Sequence, residues 1–121
     1  MADFKGSYSG KTLANRGKGE ERRFEMEQEI RFKAESRRSR MLGRWLAGKF
    51  KMSADEAEAY EMQVLHADLH RPGAEDVIDK VMHDIKARHA KITEKEVRKE
   101  LEHLYAVAYE QITNENKKKK A

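Results

Sequence analysis

His66 and His70 are four residues apart with Asp68 between them, a spacing at which two imidazoles share one face of a helix and can hold a metal ion. Zinc requires a third or fourth protein ligand, and the chain supplies neither a matching His-x-x-Glu on another helix nor any cysteine. The two histidines therefore read as polar-face residues beside Pro72-Gly73, and no metal site is expected. His83, His89 and His103 stand singly, without a positioned carboxylate or nucleophile. Catalytic carboxylates need one member held at a raised pKa in a cleft. Here Glu56 and Glu96 fall where helix caps belong, while Glu94, Glu100 and Glu110 fall on solvent-facing positions. Gly17-Lys18-Gly19 follows no strand and lacks the longer glycine patterns that cradle phosphates, so no nucleotide cofactor is expected. No residue is left as a catalytic candidate, and the chain reads as a non-enzyme.

One constellation remains. Arg37-Arg38-Ser39-Arg40, with Arg44, sets a basic ridge beside Met41, Leu42 and Trp45. Guanidinium forks suit carboxylates as well as phosphates. Binding a nucleic-acid backbone needs several cations neutralising phosphates together, more often on the folded body. The charge is arranged otherwise. Residues 1–51 carry 14 Lys or Arg against 7 Asp or Glu, residues 52–116 carry 8 against 15, and four lysines at 117–120 restore an overall charge of +4. No nucleic-acid partner is expected. The ridge reads as a surface for an acidic protein partner or as the mate of the acidic later helices. The apolar runs are only a few residues long, far short of the roughly 20 needed to span a bilayer, so no membrane insertion is expected. With no sorting signal evident at the N-terminus, a cytoplasmic location is expected.

The elements that position this ridge follow from periodicity. Of the 121 residues 40% are charged and 38% hydrophobic, so a core has to be assembled from narrow apolar stripes. Residues 1–19 hold four glycines and no stripe and read as a flexible arm. From residue 20 to 51 helix formers dominate, and Met41, Leu42, Trp45 and Leu46 have the spacing of a buried face. Between residues 27 and 40 only Ile30, Phe32 and Ala34 are apolar, so that end of the helix is expected to project beyond the core.

Ser53 with Glu56 forms a capping box that opens a helix over residues 54–69, and Pro72-Gly73 stops it. Val77, Ile78, Val81, Met82 and Ile85 mark a third helix over 74–89. Thr93 with Glu96 repeats the capping box ahead of a fourth, over 94–113, whose inner side is Val97, Leu101, Leu104, Tyr105, Ala108 and Ile112. Residues 114–120 carry no apolar group and fraying is expected there. The chain is thus all-α: a small four-helix bundle over 20–116 with a long first helix, an N-terminal arm at 1–19 and a basic tail at 117–121.

At Phe32-Lys-Ala-Glu-Ser-Arg-Arg-Ser-Arg-Met-Leu-Gly-Arg-Trp45 the sequence resembles the ATPase inhibitor zeta subunit family of alphaproteobacteria, which carries a Phe-Lys-Ala-x-x-Arg-Arg-x-x-x-Leu-Gly-x-Trp signature. Further matches are Ala57-Glu-Ala-Tyr60, Val64 with Ala67-Asp68, the Pro72-Gly-x-Glu-Asp-Val77 turn and Leu104-x-x-Val-Ala-x-Glu-Gln-Ile112. The similarity runs over residues 24–112. Many relatives have an Ala-Phe-Glu-x-Lys-Phe stretch near the N-terminus; here Glu21 and Arg23-Phe24 match its latter part and Glu20 stands where the earlier phenylalanine would be.

The resemblance implies a four-helix regulatory subunit that binds the catalytic head of the F-type ATP synthase and blocks hydrolysis by inserting its N-terminal segment between subunits. By position, that segment contains Arg23, Phe24, Ile30, Phe32, Arg37 and Arg38. Phe24, Ile30 and Phe32 are then expected to anchor, and Arg37, Arg38 and Arg40 to meet carboxylates of the synthase. The chain is expected to be monomeric when free and peripheral to the inner membrane when bound. The alternative is a non-inhibitory helical interaction module of the same family.

Overall fold

A computed structural model describes the backbone of residues 11–70 and 73–120 and the side chains of residues 22–69 and 73–118. Four helices follow one another: α1 (Lys11–Lys49), α2 (Ala54–His70), α3 (Ala74–Ala87) and α4 (Glu94–Lys120). α1 packs on both α2 and α4, α2 on α3, and α3 on α4, which closes the bundle around its main core. Leu42, Leu46, Tyr60, Val64, Val77, Ile78, Val81, Ile85, Val97, Leu101 and Leu104 fill it, drawn from all four helices. Trp45 lies at the margin of this core, half-buried, with the Lys49 ammonium 5.4 Å from its ring centroid.

Both capping boxes form. The Ser53 amide donates to Glu56 Oε1 at 2.8 Å while the Glu56 amide donates to Ser53 Oγ at 3.2 Å. Thr93 and Glu96 make the same exchange at 3.1 and 3.2 Å. These bonds to Ser53 hold the Glu56 carboxyl below the usual carboxylate range.

The helix ends differ from those predicted, each for a local reason. α1 stops at Lys49 and α3 at Ala87, because Lys51 and His89 turn left-handed at φ 58° and 54°. In each turn the next amide reaches back five residues, from Met52 to the Ala47 carbonyl and from Ala90 to the Ile85 carbonyl, both at 3.0 Å. That is a Schellman closure built without glycine. α4 continues through Lys120 instead of ending near 113, with Arg37 tying Glu115 to α1. α1 begins at Lys11, so helical backbone covers the second half of the segment read as an arm. Extending a formed helix adds one hydrogen bond per residue fixed, without a new nucleation cost. Residues 1–10 lie outside the described residues.

A second, smaller cluster corrects the expected projection. Ala34, Ala108 and Ile112 are buried together, with Ile30, Met41 and Tyr105 packed around them. α1 is therefore fastened to α4 as far up as Ile30, and only the part ahead of it stands clear. Every residue from 22 to 29 is exposed.

Candidate functional site

The seven residues singled out from the sequence all sit on α1, in two settings. Arg23 is exposed, and Phe24 and Phe32 show 62% and 60% of their surface. Phe24 occupies the clear-standing stretch. Helical backbone over residues 11–29 is about 28 Å long at 1.5 Å per residue. Ile30 is half-buried and belongs to the cluster against α4.

The arginines separate by their partners. Arg37 Nη1 lies 2.6 Å from Glu115 Oε2, Nη2 lies 3.1 Å from Oε1, and Nη1 also reaches Gln111 at 3.2 Å. The hydrogen bond to Glu115 pushes the guanidinium pKa of Arg37 above its ordinary value. Arg38 is buried, with Nη2 3.7 Å from Asp68 Oδ1 and its guanidinium 5.6 Å from the Tyr105 ring centroid. Asp68 is itself buried, and loss of water raises its carboxyl pKa even though Arg38 pulls the other way. Arg40 is half-exposed, 3.8 Å from Glu61, while Arg44 Nε donates to Glu61 Oε2 at 2.8 Å. Much of the basic ridge is thus engaged with the acidic later helices. Arg37 and Arg38 fasten α1 to α4 and α2, whereas Arg23, Phe24, Phe32 and Arg40 face outward.

Of two buried acids, Glu61 was not singled out from the sequence, and Asp68 entered only beside the histidine pair and as a family match. The signal for Glu61 was faint: a glycine, Gly43, within the helical stretch between Arg40 and Arg44 permits close approach of another backbone. A Cβ at Gly43 would meet the Glu61 Cα at 2.9 Å. Exposed apolar residues also went unremarked, namely Met26, Met62, Leu69 and Tyr109.

His66 is exposed, and the side chain of His70 lies outside the described residues. Among the described residues no group of three or more histidines or carboxylates could hold a metal ion, and no helix is long and apolar enough to cross a membrane. Gly17-Lys18-Gly19 lies within helical backbone, not in a loop between strand and helix.

The structure is thus an all-α bundle that displays a helix with outward aromatic and basic residues. The family model of ATPase inhibitor subunit zeta matches residues 10–111, and the chain belongs to that family. The family is a non-catalytic regulatory subunit, which gives this chain a regulatory, protein-binding role. A solved solution NMR structure is similar to this chain at 42% identity and a TM-score of 0.62, covering 71% of this chain and 98% of its own. Among curated proteins none matches.

Proposed function

We propose that this chain binds the catalytic head of the F-type ATP synthase and suppresses ATP hydrolysis by inserting the N-terminal half of α1 between subunits of the head. It acts from the cytoplasm, monomeric when free and peripheral to the inner membrane when bound. The observation that carries the proposal is the exposure of residues 22–29 on a helix whose other half is fastened on two sides. A helix held at one end can enter a cleft without first paying the ordering cost of a flexible peptide. Arg23 and Phe24 stand at the part that enters, and buried aromatic and arginine anchors dominate interface energetics.

The test is hydrolysis by isolated synthase head titrated with the unmodified chain and with Phe24→Ala, thermal unfolding being followed alongside. Truncating an anchoring aromatic costs about 2 kcal/mol or more, which is roughly a thirtyfold loss of affinity. Unfolding should stay within a few degrees, because Phe24 is 62% exposed and packs on no core residue. Equal inhibition by both proteins across the titration rejects the anchoring mechanism. Binding without inhibition by the unmodified chain identifies the non-inhibitory module instead.

A further inference from the structure

A groove runs along the middle of α1, with α1 as its floor and α2 and α4 as its walls. It encloses about 570 Å³, and Phe32, Met41, Leu65 and Ile112 supply its apolar lining. Four of the charged residues around it are basic, Lys33, Arg37, Arg40 and Arg44, against two acidic ones, Glu61 and Glu115. The α2 wall extends outward as an apolar stripe. Met62, Leu65 and Leu69 are spaced three and four apart and share one face, and Met62 and Leu69 remain 43% and 47% exposed.

The pairing within the rim shows what charge is left over. Glu61 is buried, and Arg44 presents both Nε and Nη2 to its Oε2, at 2.8 and 2.5 Å. Glu115 is taken by Arg37 through two hydrogen bonds. Arg40 reaches Glu61 only at 3.8 Å, beyond hydrogen-bond range, and its side chain is 53% exposed. One guanidinium with its fork open thus sits beside an apolar trough. A forked cation next to apolar surface matches a protein segment carrying an aspartate or glutamate close to apolar side chains. Phe32 lies both in the groove and at the foot of the clear-standing half of α1, so the two surfaces are continuous.

We infer that the groove of α1, α2 and α4 is a second docking surface, which receives an acidic amphipathic segment of the same synthase head while the N-terminal half of α1 inserts. The inference rests on the function proposed above and adds a division of labour. The groove sets how tightly the chain is held, with Arg40 as the charged contact and Phe32, Leu65 and Leu69 as the apolar ones. The inserted half of α1 sets how completely hydrolysis is blocked.

Binding to isolated synthase head and residual hydrolysis at saturation are measured for the full chain, Arg40→Glu, Arg40→Gln and Leu69→Ser, with thermal unfolding of each. Arg40→Glu and Leu69→Ser are expected to bind about tenfold more weakly or worse, and Arg40→Gln to fall between, from the size of coupling between close interfacial charges. The Arg40→Glu loss should shrink in high salt. At saturation all four should leave the same residual hydrolysis, and unchanged thermal unfolding separates this pattern from general damage to the fold. Because the chain has no cysteine, a photo-crosslinker on Leu69→Cys labels one position and should join a head segment rich in Asp or Glu. Wild-type affinity in Arg40→Glu and Leu69→Ser, with the unmodified chain binding the head, overturns the groove and leaves the proposed function standing. Crosslinking only between copies of this chain, with self-association lost in Arg40→Glu, overturns it in favour of a dimer contact. Failure of the unmodified chain to bind overturns both. If Arg40→Glu unfolds, Arg40→Gln and Leu69→Ser decide.

Discussion

Two glycines of α1, five residues apart, should respond to the same substitution with opposite signs. Alanine favours a helix interior over glycine by about 0.5–1 kcal/mol, which is the gain expected wherever the new methyl meets nothing. Gly48 is such a place, with no atom within 4 Å of a built Cβ. At Gly43 the methyl would stand 2.9 Å from the Glu61 Cα and 3.3 Å from Val64 Cγ2. The first of these is backbone and cannot swing aside, so α1 and α2 have to separate along the contact that carries Leu42, Leu46, Tyr60 and Val64. Overpacking of this kind costs about 1–3 kcal/mol. Subtracting the propensity gain leaves Gly43→Ala destabilised by up to about 2.5 kcal/mol and Gly48→Ala stabilised by up to about 1 kcal/mol. Chemical unfolding of both variants, with the dependence on denaturant unchanged, reads the difference directly. Gly43→Ala stabilised as much as Gly48→Ala would show that the close crossing of α1 and α2 does not exist.

Two further outcomes are expected. Replacing His89, held left-handed at φ 54°, by glycine should raise stability by roughly 0.5–1 kcal/mol, the relieved strain exceeding the extra unfolded-state freedom of glycine; a loss in chemical unfolding would count against the Schellman turn. Asp68 faces Arg38, Glu35 and Ser39 of α1 and the Gly73 amide, and burial raises its folded-state pKa above the ordinary 3.8. The folded chain then keeps a proton that the unfolded chain releases, so this contribution is full below the ordinary carboxylate range and is lost as pH rises through the folded-state pKa. The stability gap between the native chain and Asp68→Asn should accordingly narrow from acid toward neutral pH, and a gap that widens refutes the assignment.

What was legible in the sequence and what was not divides along physical lines. Stripes such as Val77, Ile78, Val81 and Ile85 announce buried faces because helical period and burial coincide, and all four are buried. Ser53 and Thr93 announce helix starts because capping is local chemistry between residues three apart. The ends of α1 and α3 were displaced because Lys51 and His89 occupy positions where glycine is the usual signal. The reach of α4 was hidden for another reason. It depends on Arg37 meeting Gln111 and Glu115 across more than 70 residues of chain, and no local pattern carries such a pairing. The basic ridge of α1 was legible as a charge pattern but not in the direction each side chain takes. Charge and spacing pointed to the basic ridge of α1, yet only the packing decides that Arg38 turns inward to Asp68 while Arg40 faces out.

That division bears on how a small bundle can act on a large partner. An isolated helix with the composition of the first part of α1 would be marginal in water, since its apolar groups are few and most helical stability in proteins comes from packing. Here the packing is concentrated in the second half. Leu42 and Leu46 enter the main core, Ile30 and Ala34 lie against α4, and Arg37 and Arg38 add contacts on two sides. Helix propagation then carries that order along the backbone to the exposed residues 22–29. Under the proposed function the inward arginines serve binding indirectly: loosening either would blur the direction in which Phe24 is presented. Arg40 has the opposite character: it reaches the buried Glu61 only at 3.8 Å, and its side chain stays 53% exposed at the rim of the groove.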